Sequence, residues 1–147
     1  MKSIIESVSA FFAAEQWPAR QAGGRNLSMR FKGNQFEWDC VASTDEDERT
    51  LVFYSLCPAT AGKDSFPRVA ELLCRLNYAQ LCGNFELGYL DGDIRFRTSI
   101  EVPDIDLSHA LIDRVVYNNV ATMDMFLPAL LSVIQDGTAP LEAIARS

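Results

Sequence analysis

His109 is the only histidine in the chain, so any His-based dyad or triad has to use it. It stands in the first turn of a helical segment, where a backbone cap or solvent is its expected neighbour. General-base work needs a nucleophile within hydrogen-bond reach, and none is legible beside it. The four cysteines, Cys40, Cys57, Cys74 and Cys82, form no CxxC pair, and with one histidine they lack the ligand spacing of a structural zinc site. Thiolate chemistry at Cys74 or Cys82 would need nearby cations and partial exposure. Arg75 adjoins Cys74, but neighbours on a helix point apart, and both thiols read as small core residues. Asp91 with Asp93, and Asp104 with Asp106, could pair as acids or hold calcium. The Asp91-Gly92-Asp93 run is better explained as turn chemistry, and neither pair continues into an EF-hand loop. GxSxG, Walker A and GxGxxG patterns are absent, and Gly83, Gly88 and Gly92 are too scattered to cradle a phosphate. The reading is a non-enzymatic chain with no catalytic, cofactor-binding or metal-binding residue.

Polar groups in unusual places carry more information. Asn77 falls on the same helical face as the apolar Val69 and Leu73, so its amide needs a partner, expected at the helix end or the turn at Cys82-Gly83. Arg30, Lys32, Glu37, Asp39, Glu86, Arg95 and Arg97 share the outward parity of their strands. They form either a solvated face with cross-strand pairs or a mixed-sign platform for a peptide.

The elements that must position these groups follow from periodicity. The chain has 147 residues, 48% apolar and 22% charged, which suits one folded domain spanning 1–147. Ser3 and Glu6 form a capping-box signature, and Ile4, Ile5, Val8, Phe11 and Phe12 recur at helical spacing over residues 4–16. The period then changes to two. Leu27, Met29 and Phe31 alternate up to Gly33-Asn34, and Phe36, Trp38 and Cys40 alternate after it. A two-residue turn there would set Phe31 against Phe36, Met29 against Trp38 and Arg30 against Glu37. The acidic run at residues 44–49 reads as a solvated turn, and residues 51–56 as an inner strand. A second helix from Asp64 or Ser65 to about Gln80 precedes another hairpin. There an Asp91-Gly92 turn would pair Tyr89 with Ile94, Leu87 with Phe96 and Glu86 with Arg97. A long helical segment runs from Asp106 or Ser108 to Gln135, with Pro128 inside it and Gly137 ending it. A short helix over residues 141–145 follows. The order is α-β-β-β-α-β-β-α: an α+β fold, an antiparallel five-stranded sheet with helices packed on it.

Thirteen Lys and Arg against twenty Asp and Glu give a net charge of −7, which disfavours nucleic acid as a partner. Glu6 interrupts what could be read as a signal-peptide core, and residues 125–134 are too short to span a bilayer. With scattered cysteines, the expected location is the cytoplasm, without membrane insertion.

Leu72-Leu73-Cys74-Arg75-Leu76-Asn77, Gly83-Asn84-Phe85-Glu86-Leu87 and Asp91-Gly92-Asp93-Ile94-Arg95-Phe96-Arg97 together resemble the YbjN-like bacterial proteins, which are described as sensory transduction regulators. The pattern covers about half of the chain, and the helix with Asp124 and Pro128 also fits it. The resemblance implies a type III secretion chaperone-like fold, often homodimeric, and brings no catalytic residue with it. The second and third helices carry more apolar arc than five strands can cover, so the remainder calls for another copy or a client protein. The expected function is a protein-interaction module, chaperone-like or a regulatory adaptor in bacterial signalling. Tyr78, Val120, Met123, Phe126, Arg95 and Arg97 are the candidate contact residues. The alternative is a small-molecule sensor with a pocket between sheet and helices and Asn77 facing into it.

Overall fold

The computed structural model describes residues Met1–Ser147. Helix α1 spans Ile4–Ala14, and the Ser3 hydroxyl accepts the Glu6 N–H at 3.2 Å, as the capping signature requires. Its other free amides are satisfied from far away. The N–H groups of Ile4 and Ile5 donate to the Glu46 carboxylate at 2.8 and 3.1 Å. The acidic turn that read as merely solvated is thus a helix cap.

Strands β1 (Ala19–Gln21), β2 (Asn26–Lys32), β3 (Glu37–Asp45) and β4 (Thr50–Leu56) come next. Helix α2 (Phe66–Ala79), strands β5 (Asn84–Leu87) and β6 (Ile94–Glu101), and helices α3 (His109–Asp136) and α4 (Pro140–Ala145) complete the chain. The sheet has six antiparallel strands in the order β1-β2-β3-β4-β6-β5. The five-strand expectation missed β1, whose three residues after Pro18 are too few to display an alternation.

Within their strands both hairpins keep the expected faces, but the register changes, and Phe36 and Tyr89, expected in inward pairs, fall in the loops, Tyr89 exposed. Across β2 and β3, Phe31 pairs with Trp38, Arg30 with Asp39 and Met29 with Cys40. Each partner lies two residues further along than a two-residue turn would place it, and a shift of two preserves parity. The cause lies in α3. Asp124 accepts the Asn34 main-chain N–H at 2.9 Å and its Nδ2 at 2.8 Å, holding open a loop over 33–36. Gly33 is required there, because a Cβ would collide with the Asp124 carboxylate and the Trp38 ring. Across β5 and β6 the shift runs the other way, with Leu87 opposite Ile94, Phe85 opposite Phe96 and Glu86 opposite Arg95. That loop covers 88–93. Gly92 sits in it at φ 76° and accepts the Ala61 N–H at 2.9 Å, so the segment before α2 sets its length.

All the helices that touch the sheet pack on one face: α3 on β4 and β6, α2 on β5, and α1 on β1 and β3. The inward residues Leu27, Met29, Trp38, Cys40, Ala42, Leu51, Phe53, Phe85, Ile94 and Phe96 are buried beneath them. Helix α3 is the centre of this layer, flanked by α1, α2 and α4. The fully buried Asn119 anchors it, donating from Nδ2 to the carbonyls of Phe53 and Phe96 at 2.9 and 3.0 Å and to Thr98 Oγ1 at 3.1 Å. Trp38 Nε1 donates to the buried Ser55 hydroxyl at 2.9 Å, so the one polar side chain on the inner face of β4 has its partner.

Candidate interaction surface

Of the helix residues expected at a contact, the structure exposes one. Tyr78 is 96% exposed, at the C-terminal end of α2. Val120 (2%) and Met123 (0%) are buried within the same chain, so neither is available as a contact. Phe126 is half-buried, its ring 6.4 Å from that of Phe85. The apolar arc of α3 is wide because sheet, α1, α2 and α4 together surround it. The surplus was inferred from the sheet alone.

The residues left bare lie elsewhere. Leu81, just after α2, is fully exposed. Cys74 within α2 and Cys82 beside Leu81 in sequence are exposed too, against the expectation of small core residues. Tyr89 and Leu90 are exposed in the β5–β6 loop, where the Tyr89 ring meets that of Phe66 at 5.6 Å. Leu81 falls at helical spacing from Cys74 and Tyr78, on a flank that one core leaves partly uncovered, whereas Leu90 carries no periodic signal. What could have marked them is their position just outside an element, where an apolar residue has no face to join.

The outer face of the sheet is the second surface. Arg30 donates to Glu37 at 3.1 Å and to Asp39 at 2.9 Å, and these two carboxylates hold its guanidinium in the charged form. Glu86 receives Arg95 at 2.6 Å and Arg97 at 3.5 Å, while the Arg95 guanidinium stacks 4.3 Å from the centre of the Tyr54 ring. Arg95 and Arg97 therefore sit on the open face as expected, held in place by Glu86 and Tyr54. Between the two charge clusters run the half-buried Val41, Val52, Tyr54 and Leu56. A cleft of about 790 Å³ opens among Arg30, Asp39, Leu56, Glu86, Asp93 and Arg95. Its charged lining belongs to the outer face of the sheet, away from the helices.

Asn77 is not free to serve a ligand between sheet and helices. Its Oδ1 accepts the Phe85 N–H at 2.7 Å, and its Nδ2 donates to the Phe85 carbonyl at 3.0 Å. The partner is β5 itself, two residues beyond the turn where it was expected. With that amide engaged, the sensor reading loses its polar group.

The titratable groups serve the architecture. Burial pushes the Cys40 thiol up to about 12 and the Cys57 thiol up to about 11, so both stay protonated and unreactive at neutral pH. His109 Nε2 lies 3.2 Å from Glu15, Tyr117 donates to the same carboxylate at 3.0 Å, and the imidazole packs 4.6 Å from the Phe11 ring. Desolvation and the Glu15 carboxylate push the Tyr117 hydroxyl up to about 12. This cluster ties the end of α1 to α3. Chemically, the open surfaces offer apolar side chains on a rigid helix end and a row of fixed charge pairs, a combination suited to grasping polypeptide.

The model of the YbjN family, described as "Putative bacterial sensory transduction regulator", matches residues 5–132. The chain belongs to this family. The crystal structure of YbjN from E. coli is similar with a TM-score of 0.65 at 11% identity, over 87% of this chain and 90% of that one. The ExsC–ExsE complex is similar with a TM-score of 0.58 at 10% identity, over 86% and 95% of the two chains. The HopA1–SchA chaperone–effector complex is similar with a TM-score of 0.55 at 17% identity, over 81% and 88%. At such identities the likeness is one of fold. This chain's α+β arrangement, with helices on one face of an antiparallel sheet, is thus type III secretion chaperone-like. A search of curated proteins finds no match. No helix here is long and apolar enough to cross a membrane.

Proposed function

We propose that this YbjN-family chain is a protein-interaction module: one domain that acts as a chaperone-like or regulatory adaptor in bacterial signalling. It works as a homodimer in the cytoplasm, without catalysis of its own. The carrying observation is the pair of fully exposed apolar side chains, Tyr78 and Leu81, at the end of a rigid helix. A second copy is the occupant that the charges favour. With a net charge of −7, two copies repel over most of their surface. The run Tyr78-Ala79-Gln80-Leu81-Cys82 carries no charged side chain, and two copies approach there with the least repulsion. The open sheet face with Arg95, Arg97 and Tyr54 then remains for a polypeptide partner, and the family description and the chaperone relatives support that reading.

Light scattering at micromolar concentration tests it. The expected mass is that of a dimer, and Tyr78→Lys should return it to a monomer with folding stability changed by no more than about 0.5 kcal/mol. Mild oxidation should link copies through Cys82. A monomeric wild-type protein that does not cross-link would sink the proposal.

A further inference from the structure

A sheet leaves unpaired backbone groups along each outer strand, and these are a template for another strand. Strand β5 is such an edge, four residues long, joined on one side to β6. In an antiparallel ladder, alternate residues exchange two bonds with the partner opposite, N–H to C=O in both directions, and the residues between them point both groups the other way. At Phe85 both of these bonds go to one side chain: the Asn77 carboxamide accepts the N–H at 2.7 Å and donates to the C=O at 3.0 Å. The carboxamide therefore makes the two bonds that a residue of a seventh strand would make. Beyond Leu87 the chain leaves the strand for the 88–93 loop, which Gly88 closes on the β6 side by donating to the Asp93 carbonyl at 2.7 Å. Phe85 is the middle rung of this edge, and helix α2 fills it.

We infer that Asn77 is an edge guard: it closes β5 to strand addition, and without it β5 pairs with β5 of a second copy of this chain. The guarded edge lies beside the bare Tyr78 and Leu81, so association at this corner of the molecule goes through side chains and not through backbone. The inference stands independently of the proposed dimer. A chain that is monomeric in the wild type still needs its edge closed.

Hydrogen exchange and light scattering on the full chain test it, with Asn77→Ala compared against wild type. The Phe85 amide should exchange at least about tenfold faster in the variant, in keeping with the loss of a local bond, while Phe53 on the inner strand β4 keeps its protection. Mass should grow with concentration, with added intermolecular β signal in the infrared. This growth should persist when Tyr78→Lys is also present, which separates it from association through the helix end. Faster exchange at Phe85 and Phe53 alike without association would make Asn77 an ordinary packing residue and overturn the inference, as would no change at all. Should Asn77→Ala fail to fold, Asn77→Asp keeps the acceptor for the Phe85 N–H and removes the donor to its carbonyl. The same association is expected of it, and a variant that stays at the wild-type mass would overturn the inference.

Discussion

Helices α2 and α3 contrast in a way that reverses their sequences. Helix α3 has apolar residues around more than half of its circumference and hides nearly all of them. Helix α2 has a cleaner division, with Val69, Leu72, Leu73 and Leu76 buried on one side, and yet its end leaves Tyr78 bare and Leu81 follows it into solvent. The difference lies in neighbours. Helix α3 is packed by the sheet and three helices, while α2 lies at the margin of the layer over the last strand. Apolar content tells how much surface needs cover, and only the three-dimensional surroundings tell how much cover there is.

The contrast can be broken from the α3 side. Met123→Ala removes a side chain with 0% exposure and should cost about 2–5 kcal/mol, read as a drop in the midpoint of denaturant unfolding. A small loss there would mean that α3 is not the centre of the layer. Asp124→Ala is the next largest. It removes both bonds to Asn34 and should cost about 1–2 kcal/mol, with faster amide exchange confined to the β2–β3 loop. The finest test leaves stability alone. At neutral pH a thiol reagent should modify the exposed Cys74 and Cys82 quickly, and leave Cys40 and Cys57, with thiols pushed up to about 12 and about 11, unmodified until the chain unfolds. Rapid labelling of Cys40 would show that the sheet under α3 opens.

How much of this was legible divides along the range of the interactions. Alternation at residues 27–31 and 94–98 assigned the inner and outer faces correctly, because parity is a local property of an extended chain. Register was not legible, because the turns that set it answer to Asp124 and Ala61, each distant in sequence. The N-terminal cap at Ser3 was readable and the one at Glu46 was not, for the same reason. Arg95 and Arg97 were placed on the open face from parity alone. Val120 and Met123 were placed at a surface by counting strands, and the count omitted both β1 and the flanking helices. Asn77 was recognised as an amide in need of a partner, but its partner depends on how α2 lies along β5.

The Glu46 contact has a consequence for the order of events during synthesis. Residues 4–14 leave the ribosome well before Glu46, and a segment of 11 residues is too short to hold a helix in water unaided. The nascent segment therefore stays fluctuating until the β3–β4 turn has been translated and its carboxylate can close over the waiting amides. The element that is made early is among the late ones to become firm.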